Sequence, residues 1–381
     1  MIAFNSKLPQ VGTTIFTVMS KLAADTNAIN LSQGFPDFDG PAELVELTHK
    51  YMLEGKNQYA PMGGVPILNE RISEKVHALY GAEYHPENEI TITAGGTQAI
   101  FTALACAIHP GDEVIVFEPA YDSYAPTIKV LGGLVKALEL SPPDYKIDWN
   151  IVKKLITNRT RMIILNSPQN PTGTILKQDD IDELIKLTRG TDIFILSDEV
   201  YEHLVYDDQE HLSMAKFPEL RDRSFIIASF GKLFHNTGWK VGYCLAPQEL
   251  MKEFRKIHQY LVFSVNAPVQ YAIADMLLEK DYYLSLKGFF TQKRNYFRDL
   301  LQQTRFQLLP CEGSYFQCAG IKDITDEKDV NFTKRLTLDF GVAAIPTSAF
   351  YSRAADFGVI RFCFAKKQET LEKAVMRLTK V

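Results

Sequence analysis

Along the middle of the chain, short runs rich in β-branched and other apolar residues alternate with longer amphipathic stretches. That alternation predicts βαβ units around a largely parallel sheet, an α/β architecture. "EITIT" leads into "AGGTQAIFTALACAI", which reads as a strand, a glycine turn and a helix. "DEVIVFEPAYD", "RMIILNSPQNPTG", "DIFILSDEVY" and "SFIIASFGK" are further apolar runs, each stopping abruptly at polar residues. Towards the C-terminus "LTLDFGVAAIP", "GVIRFCFAK" and "ETLEKAVMRLTKV" read as strands and helices of a second, smaller lobe. A helix rich in Tyr and Phe near residues 275–300 is expected to join the two. The first forty-odd residues, with the loop signal "QGFPDFDGP", are expected to fold back onto the smaller lobe.

In an open parallel sheet, ligands bind at the carboxyl ends of the strands. After "EITIT" come Gly95, Gly96 and Thr97; after "VIVF" comes Tyr121; after "MIIL", Asn166 and Asn170; after "IFIL", Ser197, Asp198 and Tyr201; after "FIIA", Ser229 and Lys232. Each has an ordinary structural explanation. Thr97 and Asp198 suit helix caps, "NPTG" is a good turn, and Tyr121 could be core. Together they deliver an anion nest at a helix start, an aromatic face, two amides, a carboxylate with a phenol, and a hydroxyl with an amine. One shared ligand explains them better than separate excuses. It would carry a phosphate, a flat ring with a basic nitrogen, a ring hydroxyl and an aldehyde, and pyridoxal 5′-phosphate meets all four requirements. A lysine beside another cation or in a dry setting has its amine activated for bonding to such an aldehyde.

Composition narrows the field. The 381 residues, 46% hydrophobic and 23% charged, suffice for a large core in two lobes. A net charge of −5 excludes the basic footprint of a nucleic-acid binder and supplies no polybasic membrane anchor. No apolar run approaches a membrane span, and "MIAFNSKLPQVGTTIF" lacks the pattern of a secretory signal. Five cysteines without C-x-x-C spacing point to reduced thiols and a cytoplasmic location. Without that spacing or an H-x-x-x-H pair, no metal site is expected.

The segments "NSPQNPTG", "SDEVYEHLVYD", "SFGKLFHNTGWKVGY" and "GVIRFCFAK" resemble class I pyridoxal-phosphate-dependent aminotransferases of fold type I, and the likeness runs over essentially the whole chain. Within that group, "HQYLVFSVNAPVQYAIADML" and "LPCEGSYF" are most similar to methionine aminotransferases and the related kynurenine/glutamine aminotransferases. The resemblance implies a large cofactor-binding domain over residues 46–281 and a smaller α/β domain from residues 1–45 and 282–381.

It also implies roles. Lys232 would bond the cofactor aldehyde and then carry the substrate's α-proton. Asp198 would keep the pyridine nitrogen protonated, Tyr201 and Asn170 would bond the ring oxygen, and Tyr121 and Val200 would pack on the ring's two faces. Ser229, Lys240 and the backbone at Gly96 and Thr97 would bind the phosphate, and Tyr59 would reach the phosphate of the other subunit in a homodimer with shared sites. Arg361, Asn170 and the Gly34 backbone would take the substrate carboxylate. Two departures stand out. Leu233 replaces a usual Thr, with a small effect on lysine placement expected, and Lys240 replaces an arginine, giving a point charge rather than a fork.

The stretch "YLVFSVNAP" lacks the second arginine that aspartate aminotransferases use there. Ile15, Phe16, Phe35, Tyr59 and Phe263 are expected to form an apolar side-chain pocket, favouring methionine and other large uncharged amino acids as donors and a 2-oxo acid as acceptor. A kynurenine/glutamine aminotransferase with C–S β-lyase activity on cysteine conjugates is the alternative reading.

Overall fold

The computed structural model describes residues 5–381. Its centre is a seven-stranded sheet in the order Ile90–Thr93, Gly242–Leu245, Ser224–Ser229, Phe194–Asp198, Thr160–Asn166, Glu113–Glu118, Leu134–Glu139. All neighbours pair in parallel except Gly242–Leu245, which runs antiparallel to both of its partners. This strand, "GYCL", is one that the apolar pattern did not separate from the loop before it. Strands such as Glu113–Glu118 and Ile90–Thr93 are buried along their whole length, as a sheet covered on both faces requires. Leu134–Glu139 forms the partly exposed edge.

Register decides which residues meet. Asn166 pairs directly with Asp198, Asp198 with Ile227, and Ser229 with Gly242, which in turn faces Thr93. The polar residues that end four strands therefore lie side by side along one edge of the sheet. The helix Gly96–Ala107 packs over one face, with seven residues buried from Gly96 to Ala107.

The C-terminal part of the chain forms a second sheet, four-stranded and antiparallel, in the order Ile345–Pro346, Val359–Cys363, Phe316–Gly320, Gln307–Leu308. Between the strands of the two sheets the chain forms helices Ala267–Met276 and the 22-residue Lys280–Leu301, two helices rather than one around residues 275–300. Near the N-terminus Ile29–Asn30 pairs in parallel with Val342–Ala343, and the Cys363 N–H donates to the Leu31 carbonyl at 2.8 Å. Those bonds carry Gly34 from the beginning of the chain to the mouth of the large sheet.

Candidate active site

The strand ends and the N-terminal segment enclose a cleft of about 320 Å3. Gly34, Gly96, Thr97, Tyr121, Asn170, Asp198, Val200, Tyr201, Ser229, Lys232, Lys240 and Arg361 all line it, as does Phe16.

One end of the cleft is built for an anion. Gly95 has φ +80°, a left-handed conformation that glycine adopts without strain, and it starts the helix Gly96–Ala107 with no side chain capping the free N–H groups. A Cβ on Gly95 would lie 3.1 Å from Lys240 Nζ, so the ammonium sits directly over the helix start. Gly96 packs its bare Cα near Val200, where a Cβ would stand 3.1 Å from a methyl group. The Thr97 hydroxyl is 3.2 Å from the Tyr121 hydroxyl, which tethers that ring beside the helix start. With Ser229 on the adjoining strand end, dipole, ammonium and hydroxyls converge where a phosphate would bind.

In the middle stand the two groups with the largest chemical consequence. Asp198 accepts a hydrogen bond from the Tyr124 hydroxyl at 2.6 Å and one from the Val200 N–H at 3.4 Å. Burial pushes its carboxyl up to about 6, against the pull of those donors and of the Lys232 charge. The Lys232 amine donates to the Tyr315 hydroxyl oxygen at 2.6 Å and to the Gly34 carbonyl at 3.0 Å. Burial, with Lys240 and Arg361 adding to it against Cys363 and Asp198, pushes this amine down to about 8. A minor fraction, roughly a tenth to a fifth, is then neutral near physiological pH, far more than for an ordinary lysine, and is able to attack a carbonyl carbon.

The far end is a cation. Arg361 lies in the middle of the Val359–Cys363 strand and is fully buried. Its guanidinium lies over the Phe316 ring at 3.9 Å and donates to Asn170 Oδ1 at 2.5 Å and to the Ser32 carbonyl at 2.7 Å, while Nε has no partner. A fully buried cation in the wall of a cleft, with one donor unused, is costly unless an anion completes it. Asn170 is itself held, its N–H donating to Asn166 Oδ1 at 2.8 Å, and Asn166 Nδ2 donates to the Asp198 carbonyl at 2.8 Å. One hydrogen-bonded chain thus links Arg361 to Asp198.

This donor set fits pyridoxal phosphate: an uncapped helix start under a lysine for the phosphate, a dry carboxylate for a ring cation, and an activated amine for the aldehyde. Four residues expected around the ligand lie elsewhere in the single chain. Tyr59 is 83% exposed and meets Phe263 edge-on at 5.2 Å on the outer surface. Phe35 is turned outward under the Lys366 ammonium, 4.7 Å from its ring, and Ile15 packs with the Met19–Ile345–Phe350 cluster. Conversely, sequence reasoning missed Tyr124, Tyr315, Phe316, Gln33 and Thr237, the last three on the cleft wall. Tyr315 and Phe316 sit in "GSYF", noticed for its resemblance but not for contact with Lys232 and Arg361.

Among the described residues, no helix is long and apolar enough to cross a membrane.

A family model described as aminotransferase class I and II matches residues 26–378. The chain is 49% identical over 374 residues, covering 98% of it and 97% of the relative, to methionine aminotransferase from Escherichia coli. The human kynurenine–oxoglutarate transaminase 1 is 32% identical, with 94% of each chain covered. A crystal structure assigned a methionine aminotransferase function in E. coli superposes with a TM-score of 0.98 at 48% identity, over 100% of both chains.

Proposed function

The chain belongs to the class I and II aminotransferases, and from that premise we propose that it transfers the α-amino group of methionine, and of other large uncharged amino acids, to a 2-oxo acid with pyridoxal phosphate as cofactor. The observation that carries the transaminase reading is the placement of Lys232, Asp198 and Arg361 in one cleft. The methionine preference is supported by the 49% identity to the E. coli enzyme and by the cleft lining, where Lys232, Lys240 and Arg361 are the only cations among the described residues. Each of the three has an assignment, so a second substrate carboxylate would enter unpaired.

Lys240, Ser229 and the backbone of Gly96 and Thr97 would hold the phosphate, Tyr121 and Val200 would flank the ring, Tyr201 and Asn170 would bond its hydroxyl oxygen, and Asp198 would face its nitrogen. Bound there, pyridoxal phosphate supplies a protonated, conjugated ring that accepts the electron pair left when the substrate loses its α-proton. Arg361 and Asn170 orient the incoming amino acid by its carboxylate. Lys232 takes the α-proton on its neutral amine and returns it to the carbon that gains the nitrogen. Tyr124 keeps Asp198 aligned in the ionised form that a neighbouring cation requires. The Tyr201 and Tyr315 rings, 5.3 and 5.2 Å from Lys232 Nζ, would keep water from the amine. The 2-oxo product leaves, and a second 2-oxo acid takes the same Arg361 contact for the reverse half, a ping-pong sequence.

A second copy of the chain completes this reading. Tyr59, Tyr260 (88% exposed), Leu261 and Phe263 leave an apolar surface near residues 59 and 263, and we assign it to a homodimer contact through which Tyr59 reaches the partner's phosphate. The same contact would bring Phe263 to the partner's substrate, with Ile15 and Phe35 moving in from the N-terminal segment. Five unpaired cysteines suit a cytoplasmic location.

The deciding experiment adds L-methionine, L-phenylalanine or L-aspartate to the loaded enzyme without an acceptor and follows the cofactor's absorbance. Conversion to the aminated cofactor by methionine but not aspartate supports the assignment. Equal conversion by aspartate removes the substrate preference, and no conversion at all removes the transaminase. Release of pyruvate and ammonia from a cysteine conjugate without acceptor would point to C–S lyase chemistry instead.

A further inference from the structure

We propose that Tyr315 is a positioning residue for Lys232: its phenol oxygen, together with the Gly34 carbonyl, holds the lysine amine whenever that amine is not bonded to the cofactor. The inference rests on the transaminase reading above.

The geometry is specific. Lys232 Nζ is 2.6 Å from the Tyr315 oxygen and 3.0 Å from the Gly34 oxygen, and the Tyr315 hydroxyl itself donates to that same carbonyl. With its proton committed to Gly34, the phenol offers lone pairs to the amine, so it acts as an acceptor. The ring cannot turn away, being 1% exposed and wedged against Tyr201 at 5.0 Å, Phe316 at 4.9 Å and Phe290 at 6.0 Å. Glycine at 34 is what lets the carbonyl come close, since a Cβ there would lie 2.7 Å from Phe316 Cζ and 3.5 Å from Tyr315 Cε2. The acceptors come from two distant chain segments and, bonded to each other, lie together on one side of the amine.

Such a cradle has a use in each half-reaction. Displaced by substrate, Lys232 would be a free amine on a flexible stem, and a proton carrier must stay within reach of the carbon it serves. The other groups facing the amine do not offer this. Lys240 and Arg361 repel its charged form, Asp198 and Cys363 favour it only from further off, and the Tyr201 ring lies 5.3 Å away with its hydroxyl unbonded to the amine. Two fixed acceptors hold it and favour its charged form, the state in which it carries the proton.

The test compares Tyr315→Phe with the wild type in two measurements. In the first, cofactor-free enzyme is mixed with pyridoxal phosphate over a range of pH, and the rate of covalent capture is followed by absorbance. In the second, turnover with methionine is measured. Losing the acceptor destabilises the ammonium, so the apparent pKa for capture should fall by about one unit and capture at pH 7 should become faster. Turnover should fall roughly 10-fold in kcat with KM nearly unchanged, because the freed amine is no longer held. Opposite signs in the two readouts are what a merely structural role would not produce. Tyr315→Leu, which also lacks the acceptor, should repeat the faster capture even if its packing is poorer. Identical behaviour of variant and wild type, or capture and turnover slowed together in both variants, would overturn the proposal. Absence of capture by the wild type would instead overturn the transaminase reading.

Discussion

The Tyr124 hydroxyl donates to Asp198 Oδ2 at 2.6 Å from the first residue of the helix Tyr124–Val130, and Tyr124 itself is buried and not part of the cleft lining. This bond opposes the burial that raises the Asp198 carboxyl to about 6. Tyr124→Phe removes the donor without changing the ring, so the carboxyl should rise further. The acid limb of the kcat/KM profile should move to higher pH, with a loss of roughly 10-fold in activity at pH 6. Steady-state rates between pH 5 and 9 check it, and an unmoved acid limb would deny Asp198 its place in that limb.

Cofactor affinity should follow the same group. Asp198 attracts a ring cation only when ionised, so the cofactor-free enzyme should bind pyridoxal phosphate less tightly as pH falls through about 6. Asp198→Ala should flatten that dependence while leaving in place the contacts proposed for the phosphate at Gly96, Thr97 and Lys240. Equilibrium titrations of both proteins provide the comparison.

Lys232→Ala should abolish turnover, by about 1000-fold or more, because neither attachment nor proton transfer survives loss of the amine. Its far-UV circular dichroism should match the wild type, since the side chain ends in the cleft rather than in the core. Near-normal rates in this variant would remove the assignment of the active site.

Arg361→Lys exchanges a planar fork, stacked 3.9 Å over Phe316 and bonded to Asn170 and Ser32, for a point charge. KM for amino acid and 2-oxo acid alike should rise by roughly 10- to 100-fold, with kcat much less affected. Initial-rate kinetics with each substrate varied in turn would reveal it; a change confined to kcat would argue against carboxylate binding.

Behind the site, Lys75 pairs with Glu202 at 2.7 Å, both side chains buried, and Tyr80 adds a hydrogen bond at 2.6 Å. Although burial alone would raise it, the Lys75 charge and its neighbours pull the Glu202 carboxyl down from 4.5 to about 2. Burial lowers His203 from 6.5 to about 3. Both groups bind more protons unfolded than folded across that range, so stability should fall as pH drops from about 6.5 towards 2. Lys75→Met should cost about 3–5 kcal/mol by leaving a buried charge unpaired, and Lys75→Met with Glu202→Leu should recover part of it. Urea unfolding of the three proteins measures both effects.

Much of this protein was legible in its sequence. Apolar runs ending at Asn166, Asp198 and Ser229 fixed the strands and the edge at which a ligand would sit, because a buried parallel strand must be apolar throughout and can turn polar only where it leaves the sheet. The helix start at Gly95–Thr97 and the amine at Lys232 were visible for the same reason, each following a strand within a few residues. The antiparallel strand Gly242–Leu245 was not, since a short apolar segment carries no sign of its direction.

Contacts between distant segments were beyond the sequence. "YDSY" holds two tyrosines three apart, and only packing turns Tyr124 to Asp198 and leaves Tyr121 in the cleft. Arg361 could have been an edge-strand arginine; its neighbours Asn170, Ser32 and Phe316 come from three other parts of the chain. The cradle of Lys232 joins Gly34 and Tyr315, which are 281 positions apart in the sequence. Local periodicity records how each segment meets the core, and so the sequence by itself determined most of the central strands and which polar residues stand at their ends. Only the tertiary structure decided which donor faces which acceptor, because those distances depend on how the two sheets and the N-terminal segment pack together.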